Sequence, residues 1–221
     1  MKKIQKFLNY ENYLKKLNNM YDMYIYGYVY SYKKMKAVEN KKFINLNLQG
    51  RLGEDRLNKI LFEIGMEPYN EATDSVHWLL FSCLKELNLH INNILEIGTY
   101  DGQTTLILSH LFPNAQITTI DLPESDPIFK NTYRRNDETK LTEYKKRQQH
   151  NLKRENINYL EVNSFFISEK IQDRFDLIWV DGGHLFPEIS WDLCNAYHFL
   201  NRSGFLMCDD VVINKSGYRD D

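Results

Sequence analysis

The chain is poor in residues that staple a fold or carry it through a membrane. Its 221 residues include only 3 cysteines, 5 prolines and 10 glycines. Cys83, Cys194 and Cys208 lie far apart and form neither a CxxC pair nor an even-numbered framework. A disulfide scaffold and a cysteine metal knuckle are therefore not expected, and a reducing, cytoplasmic setting is. The longest strongly apolar run is about Trp78 to Leu84, far short of the roughly 20 residues that cross a bilayer. The opening MKKIQKFLNYENYLKK has lysine but no apolar stretch behind it, so no signal peptide is expected. An excess of positive charge is also missing. The formal net charge of -2 disfavours a globally basic nucleic-acid binder. What is present, 43% hydrophobic and 14% aromatic residues, suffices for one good core but not for two full enzyme domains.

The first 70 or so residues are rich in Lys, Asn and Tyr. Residues 2–18 space Ile4, Phe7, Leu8, Leu14 and Leu17 as a helix does. Residues 21–32, YDMYIYGYVYSY, place tyrosine at nearly every second position. They read as a packed strand or as an aromatic surface for a substrate or partner. A helix is expected over 53–64, with Leu57, Ile60, Leu61 and Ile64 on one face, and Thr73-Asp74 reads as the start of a helix over 76–87. From residue 91 short apolar runs alternate with amphipathic stretches. Strands are expected at 91–98, 115–121, 157–164, 174–181 and 203–210, with helices at 102–111 and from Pro187 to Phe199. This alternation predicts an α/β fold, a Rossmann-like parallel sheet with helices on both faces. The expected organisation is an N-terminal, mostly helical, Tyr-rich extension (1–72) followed by the sheet domain (73–221).

Open α/β sheets bind ligands beyond the carboxyl ends of their strands. The expected strand ends carry Glu96 and Gly98, Asp121, Asn163 and Ser164, Asp181, and Asp209 with Asp210. Unpaired buried carboxylates cost energy, so five acids in register point to a site. The first turn spaces its glycines as Gly98-x-x-x-Gly102, not as the Gly-x-Gly-x-x-Gly of dinucleotide binders. That disfavours a nicotinamide oxidoreductase. Glu96, one residue before the turn, opposes a pyrophosphate and suits a cationic group. Asp121 is placed to accept from two ribose hydroxyls. A nucleoside with an ammonium group and no phosphate satisfies both, and S-adenosylmethionine (SAM) is such a molecule. Asp181, Asp209 and Asp210 end adjacent strands and would repel without a cation among them. An oxygen-only set suits Mg²⁺, with Mn²⁺ or Ca²⁺ able to replace it. The alternative is that Asp181 binds only SAM and one of the pair caps a helix.

Taken in order over residues ~90–212, EIGTYDGQTT, the acid of TIDLPES, NSFF, FDLIWVDGGH and SGFLMCDDV resemble the motifs of class I SAM-dependent methyltransferases. The set is most similar to the metal-dependent O-methyltransferases of catechol and macrolide-sugar type. The Asn/Asp-Pro-Pro-Tyr/Phe motif of many amino-methylating DNA enzymes is lacking. The resemblance implies that Glu96, Gly98, Tyr100 and Gly102 surround the methionine part of SAM, with Thr99, Thr104 and Leu122 also in the SAM site. It implies Asp121 at the ribose, Asn163 and Ser164 near the adenine, and Asp181 beside both SAM and the metal. His184, three residues past Asp181, stands where the family holds its general base, and an imidazole suits proton transfer near neutral pH. A fourth metal ligand or a contact to SAM are its other readings. The implied reaction is an SN2 methyl transfer to a hydroxyl of a small molecule, a sugar, nucleotide-linked sugar or phenol. Asp101, inside the turn, departs from the pattern and is given no role.

Residues 124–155 carry nine Lys/Arg against six acids. They read as a solvated helix face, or as a lid offering Arg134 or Arg135 to an anionic acceptor. Only 11 residues follow Asp210, which leaves the last strand an edge. A truncated chain, cover by the N-terminal segment, or a homodimer would each account for it. A non-catalytic SAM-binding or scaffold subunit is the alternative function.

Overall fold

Runs dense in Ile, Leu and Val become strands here because helices cover both faces of a parallel sheet, so apolar side chains are buried on either side. The computed structural model describes Leu48 and residues 50–70, 74–87 and 89–209. The expectations for the N-terminal helix, the Tyr-rich segment, Asp210 and residues 211–221 lie outside these. Five strands form one parallel sheet: β1 Asn93–Ile97, β2 Gln116–Asp121, β3 Ile157–Glu161, β4 Phe175–Val180 and β5 Leu200–Cys208. Their order across the sheet is β3-β2-β1-β4-β5. The fold is therefore the expected Rossmann-like α/β sheet.

The helices in chain order are α1 Gly50–Glu63, α2 Val76–Leu84, α3 Gln103–Leu111, α4 Pro127–Asn131, α5 Glu138–Asn151, α6 Ile167–Lys170 and α7 Glu188–Phe199. Strand alternation sorts the core into two layers. On β1 and β4, Ile94, Leu177 and Trp179 face a cluster made with Leu57, Ile60 and Leu61 of α1, Trp78 and Phe81 of α2, and Ile107 and Leu108 of α3. Leu95, Ile97, Ile178 and Val180 face the other way, onto Ile167, Ala196 and Phe199. The expected boundary at 72/73 assigns α1 to the extension, whereas its buried Leu57, Ile60 and Leu61 share one cluster with α2, α3 and the sheet.

Other element ends differ from expectation for local reasons. β5 starts at Leu200, directly after α7, with an irregular register where it meets β4 between Phe175 and Leu177. β3 stops at Glu161 because Asn163 caps a short 3-10 turn, its side chain accepting from the Phe165 amide. Pro187 stands at the N-cap of α7 rather than inside its first turn.

Candidate functional site

The sheet order reverses between β1 and β4: β1 hands on to β2 on one side, while β4 and β5 extend the other. Sheets of this type hold ligands beyond the carboxyl ends of the two strands at such a reversal. Gly98 follows β1 there with φ +104°. A Cβ there would lie 2.1 Å from the Asp181 carbonyl oxygen and 2.9 Å from the Gly182 nitrogen. Only glycine fits, and the close neighbour is protein backbone. The Asp181 amide donates to the Ile97 carbonyl at 2.8 Å and the Gly98 amide to the Ile120 carbonyl at 2.9 Å, so three strand tips are tied together.

Asp121 ends β2 with each carboxylate oxygen oriented by a backbone amide, Tyr100 at 2.8 Å and Leu122 at 2.7 Å. Burial raises its pKa, while those two hydrogen bonds and the Arg135 guanidinium pull it back. Each oxygen keeps a further lone pair, which suits a vicinal diol. Tyr100 takes a positive φ of 47°. Its carbonyl accepts from the Tyr144 hydroxyl and from Gln148 Nε2, both at 2.8 Å. Asp101 now has a role: it pairs with Arg147 at 3.2 Å, and its carbonyl accepts from Asn151 Nδ2 at 2.9 Å. Gly102, at φ +78°, forms the N-cap of α3, and a Cβ there would meet Leu152 Cδ2 at 2.8 Å. Thr104 turns away from this group, accepting from Trp78 Nε1 at 3.0 Å and lying 3.3 Å from His77 Nε2.

Glu96 is 1% exposed. Its Oε2 accepts from the Thr105 hydroxyl and, at 2.6 Å, from that of Thr119. Thr119 has spent its only proton on Glu96, so Thr99 donates in the 2.6 Å contact between the two threonines. Oε1 has no partner. Burial, reinforced by the charges of Asp181 and Asp121, pushes this carboxyl up to about 8. Glu96 therefore holds its proton at pH 7, a neutral buried group at the end of β1 rather than a fixed anion.

Across the reversal, Asp181 follows β4 and His184 stands with Nε2 3.7 Å from Asp181 Oδ1, within ion-pair reach. Leu185 and Phe186, next in the chain, are 77% and 84% exposed. Asp209 follows β5, its amide donating to the Val180 carbonyl at 3.0 Å. It faces His77, whose pKa burial lowers to about 4 while Asp209 pulls it the other way. Asp210, the third expected metal ligand, is outside the described residues. Among the described residues no group of three His, Cys, Asp or Glu is placed to hold a metal ion.

On the β3 side, Asn163 spends its oxygen on the Phe165 amide at 3.0 Å and its Nδ2 on Asp126 at 3.3 Å. The Ser164 carbonyl accepts from Asn195 at 3.1 Å, and its side chain bonds Asp192. Asp192 was not anticipated. It is 2% exposed, its Oδ1 lacks a partner and burial raises its pKa. Asp192, Ala196 and Phe199 are the buried residues of α7. An acid on an i, i+4, i+7 apolar stripe was the available signal.

Arg135, anticipated with Arg134 as a group a lid would offer to an anionic acceptor, is buried. It is 5% exposed, with its guanidinium carbon 4.2 Å from the Phe129 ring centroid, 4.3 Å from Tyr144, 5.3 Å from Tyr133 and 5.6 Å from Tyr100. Arg134, its neighbour, is exposed.

Residues 95–211 match a family model described as a methyltransferase domain. No curated protein matches the chain. Among solved structures, the S-adenosylhomocysteine-bound methyltransferase PaMTH1 of Podospora anserina aligns at 15% identity over 82% of this chain and 72% of its own, with a TM-score of 0.45. A SAM-dependent methyltransferase of Agrobacterium tumefaciens aligns at 16% identity over 62% and 44%, TM-score 0.43. The O-methyltransferase TomG of Streptomyces achromogenes, solved with SAM, aligns at 16% over 75% and 68%, TM-score 0.40.

Proposed function

The chain belongs to the methyltransferase-domain family, and from that premise we propose that it transfers a methyl group from SAM to a hydroxyl of a small molecule. The observation that carries the reading is Asp121. It is an acid at the carboxyl end of β2, next to the strand reversal, held by the Tyr100 and Leu122 amides with lone pairs to spare for a ribose diol. This is the acceptor chemistry the ribose hydroxyls of an adenosyl group need. The protonated Glu96 and the partly occupied Asn163 and Ser164 supply neutral polar atoms around it. TomG, described as an O-methyltransferase, supports oxygen as the accepting atom.

The bond making and breaking balance simply. The acceptor oxygen forms the new C–O bond as the C–S bond of the sulfonium breaks, leaving a neutral thioether, and the hydroxyl proton passes to His184 Nε2. Asp181, 3.7 Å away, stabilises the imidazolium formed. Holding the two reactants in line supplies much of the rate. These steps are written for this chain's own residues alone. Turnover before and after EDTA, with Mg²⁺ restored, reads any contribution of a divalent metal.

The test is calorimetry with SAM followed by transfer of labelled methyl to an acceptor panel of sugars, sugar nucleotides and phenols. SAM is expected to bind, with Asp121→Ala weakening it at least tenfold, as loss of two charge-assisted hydrogen bonds predicts. Undiminished SAM affinity in Asp121→Ala overturns the placement. SAM binding without transfer to any acceptor favours the scaffold alternative.

A further inference from the structure

Beside Tyr100 lies a cavity of about 280 Å³ walled by Tyr100, Tyr133, Tyr144, Arg134, Arg135 and Lys140. Glu143 and Arg147 complete its rim. The charges around it are unequal. Arg147 is answered by Asp101. Arg134 and Lys140 make no ion pair among the described residues, and both are exposed. Arg135 is buried to 5% exposure, surrounded by aromatic rings, and its Nε–H has no hydrogen-bond acceptor. A buried guanidinium donor without an acceptor is costly unless a ligand supplies one. The backbone is shaped to the same end. Tyr133 and Arg134 are consecutive non-glycine residues at φ +52° and +57°. Such a pair is strained, and residues 133–135 all line the cavity.

We infer that this cavity binds a phosphate carried by a ring-containing acceptor, with the tyrosine faces against the ring and Arg134, Arg135 and Lys140 on the phosphate oxygens. The inference rests on the methyltransferase reading for calling the ligand an acceptor. The methyl donor itself does not suit the cavity. SAM carries a sulfonium and an ammonium against one carboxylate, so it is net positive and repelled by a lining of three cations against the single carboxylate of Glu143. A phosphate dianion matches them, and a guanidinium fork meets phosphate oxygens two at a time. At about 280 Å³ the cavity is at the small end of ligand sites, room for a phosphate with its ring rather than for a whole dinucleotide.

The experiment is calorimetry on the full chain with four probes: inorganic phosphate, glucose 1-phosphate, uridine diphosphate and uridine. Arg134→Ala and Lys140→Ala change exposed residues, and Arg135→Lys keeps the charge where truncation would leave a hole. At least one phosphate ester is expected to bind, at least tenfold tighter than uridine and with affinity falling as salt rises. Each variant is expected to weaken it five- to tenfold, while in Arg134→Ala and Lys140→Ala SAM affinity stays within twofold of the parent. Binding of glucose 1-phosphate assigns a free sugar phosphate; binding of uridine diphosphate alone assigns a nucleotide-linked one. Equal affinity for uridine and its diphosphate, no binding of either ester, or unchanged affinity in all three variants overturns the inference. Phosphate-ester binding without SAM binding would instead remove the methyl-donor reading and leave the anion site standing.

Discussion

Glu96 shows how a residue singled out for its charge can be uncharged in the fold. Its position before the turn at the first strand tip was evident from sequence, and from there an anion for a cationic ligand was expected. Nothing in the sequence says that Thr105 and Thr119 close over it. Unfolding would return the carboxyl to water, where it ionises near 4.5, whereas in the fold it holds its proton up to about 8. Between those values the native state keeps a proton that the unfolded state has released. Stability contributed by Glu96 is therefore complete below 4.5 and falls as pH rises through the window, by about 1.4 kcal/mol per pH unit at most. Glu96→Gln, a neutral isostere, is expected to flatten that slope. Urea midpoints at pH 5, 6, 7 and 8 for both proteins check it; parallel slopes would show Glu96 ionised throughout. Gly98→Ala belongs to the same scale. It forces a methyl onto the Asp181 carbonyl at a φ that L residues avoid. A loss of at least about 2 kcal/mol is expected in urea unfolding, and SAM affinity should fall with it.

Among the elements, α5 was the hardest to read. Its only buried residue is Tyr144, so no apolar period announced a packing face, and its charges suggested a solvated surface. Its contact stripe is polar. Tyr144, Arg147, Gln148 and Asn151, at i, i+3, i+4 and i+7, all bond the turn at Tyr100–Asp101. The period was in the sequence, written in the wrong residue class for a hydrophobicity search. The strands were the reverse case. Branched aliphatic runs fixed all five within a few residues, because a doubly covered sheet tolerates little else. Tyr144→Phe removes a hydroxyl that both donates and accepts at 2.8 Å. A cost of about 1 kcal/mol is expected, with faster hydrogen exchange at Thr99–Gly102 and no change in β4. Arg147→Ala, half exposed, is expected to cost less than about 1 kcal/mol on the same measurement. The Arg135 cage was not legible at all. Phe129, Tyr133 and Tyr144 come from a long connection, and only its folding against Tyr100 brings their rings together.

For the molecule as a whole, the telling packing is that of α1. Leu57 and Leu61 are fully buried and Ile60 nearly so, in one cluster with the sheet. Burying each of three such side chains contributes about 1.5–3 kcal/mol, together comparable with the stability of an entire domain. A chain beginning at Asp74 is therefore expected to lose its sharp urea transition and bind a hydrophobic dye. A cooperative transition in that shortened chain would restore the boundary read from composition. The strand order was recoverable in outline because right-handed crossovers leave few alternatives. The membership of α1 was not, since a Lys- and Asn-rich neighbourhood disguised three core residues.

Gly98 and the Asp181 peptide meet with no room for a methyl group between them. The two loops on either side of the strand reversal therefore share one backbone contact, and any side chain larger than hydrogen at position 98 displaces both of them at once.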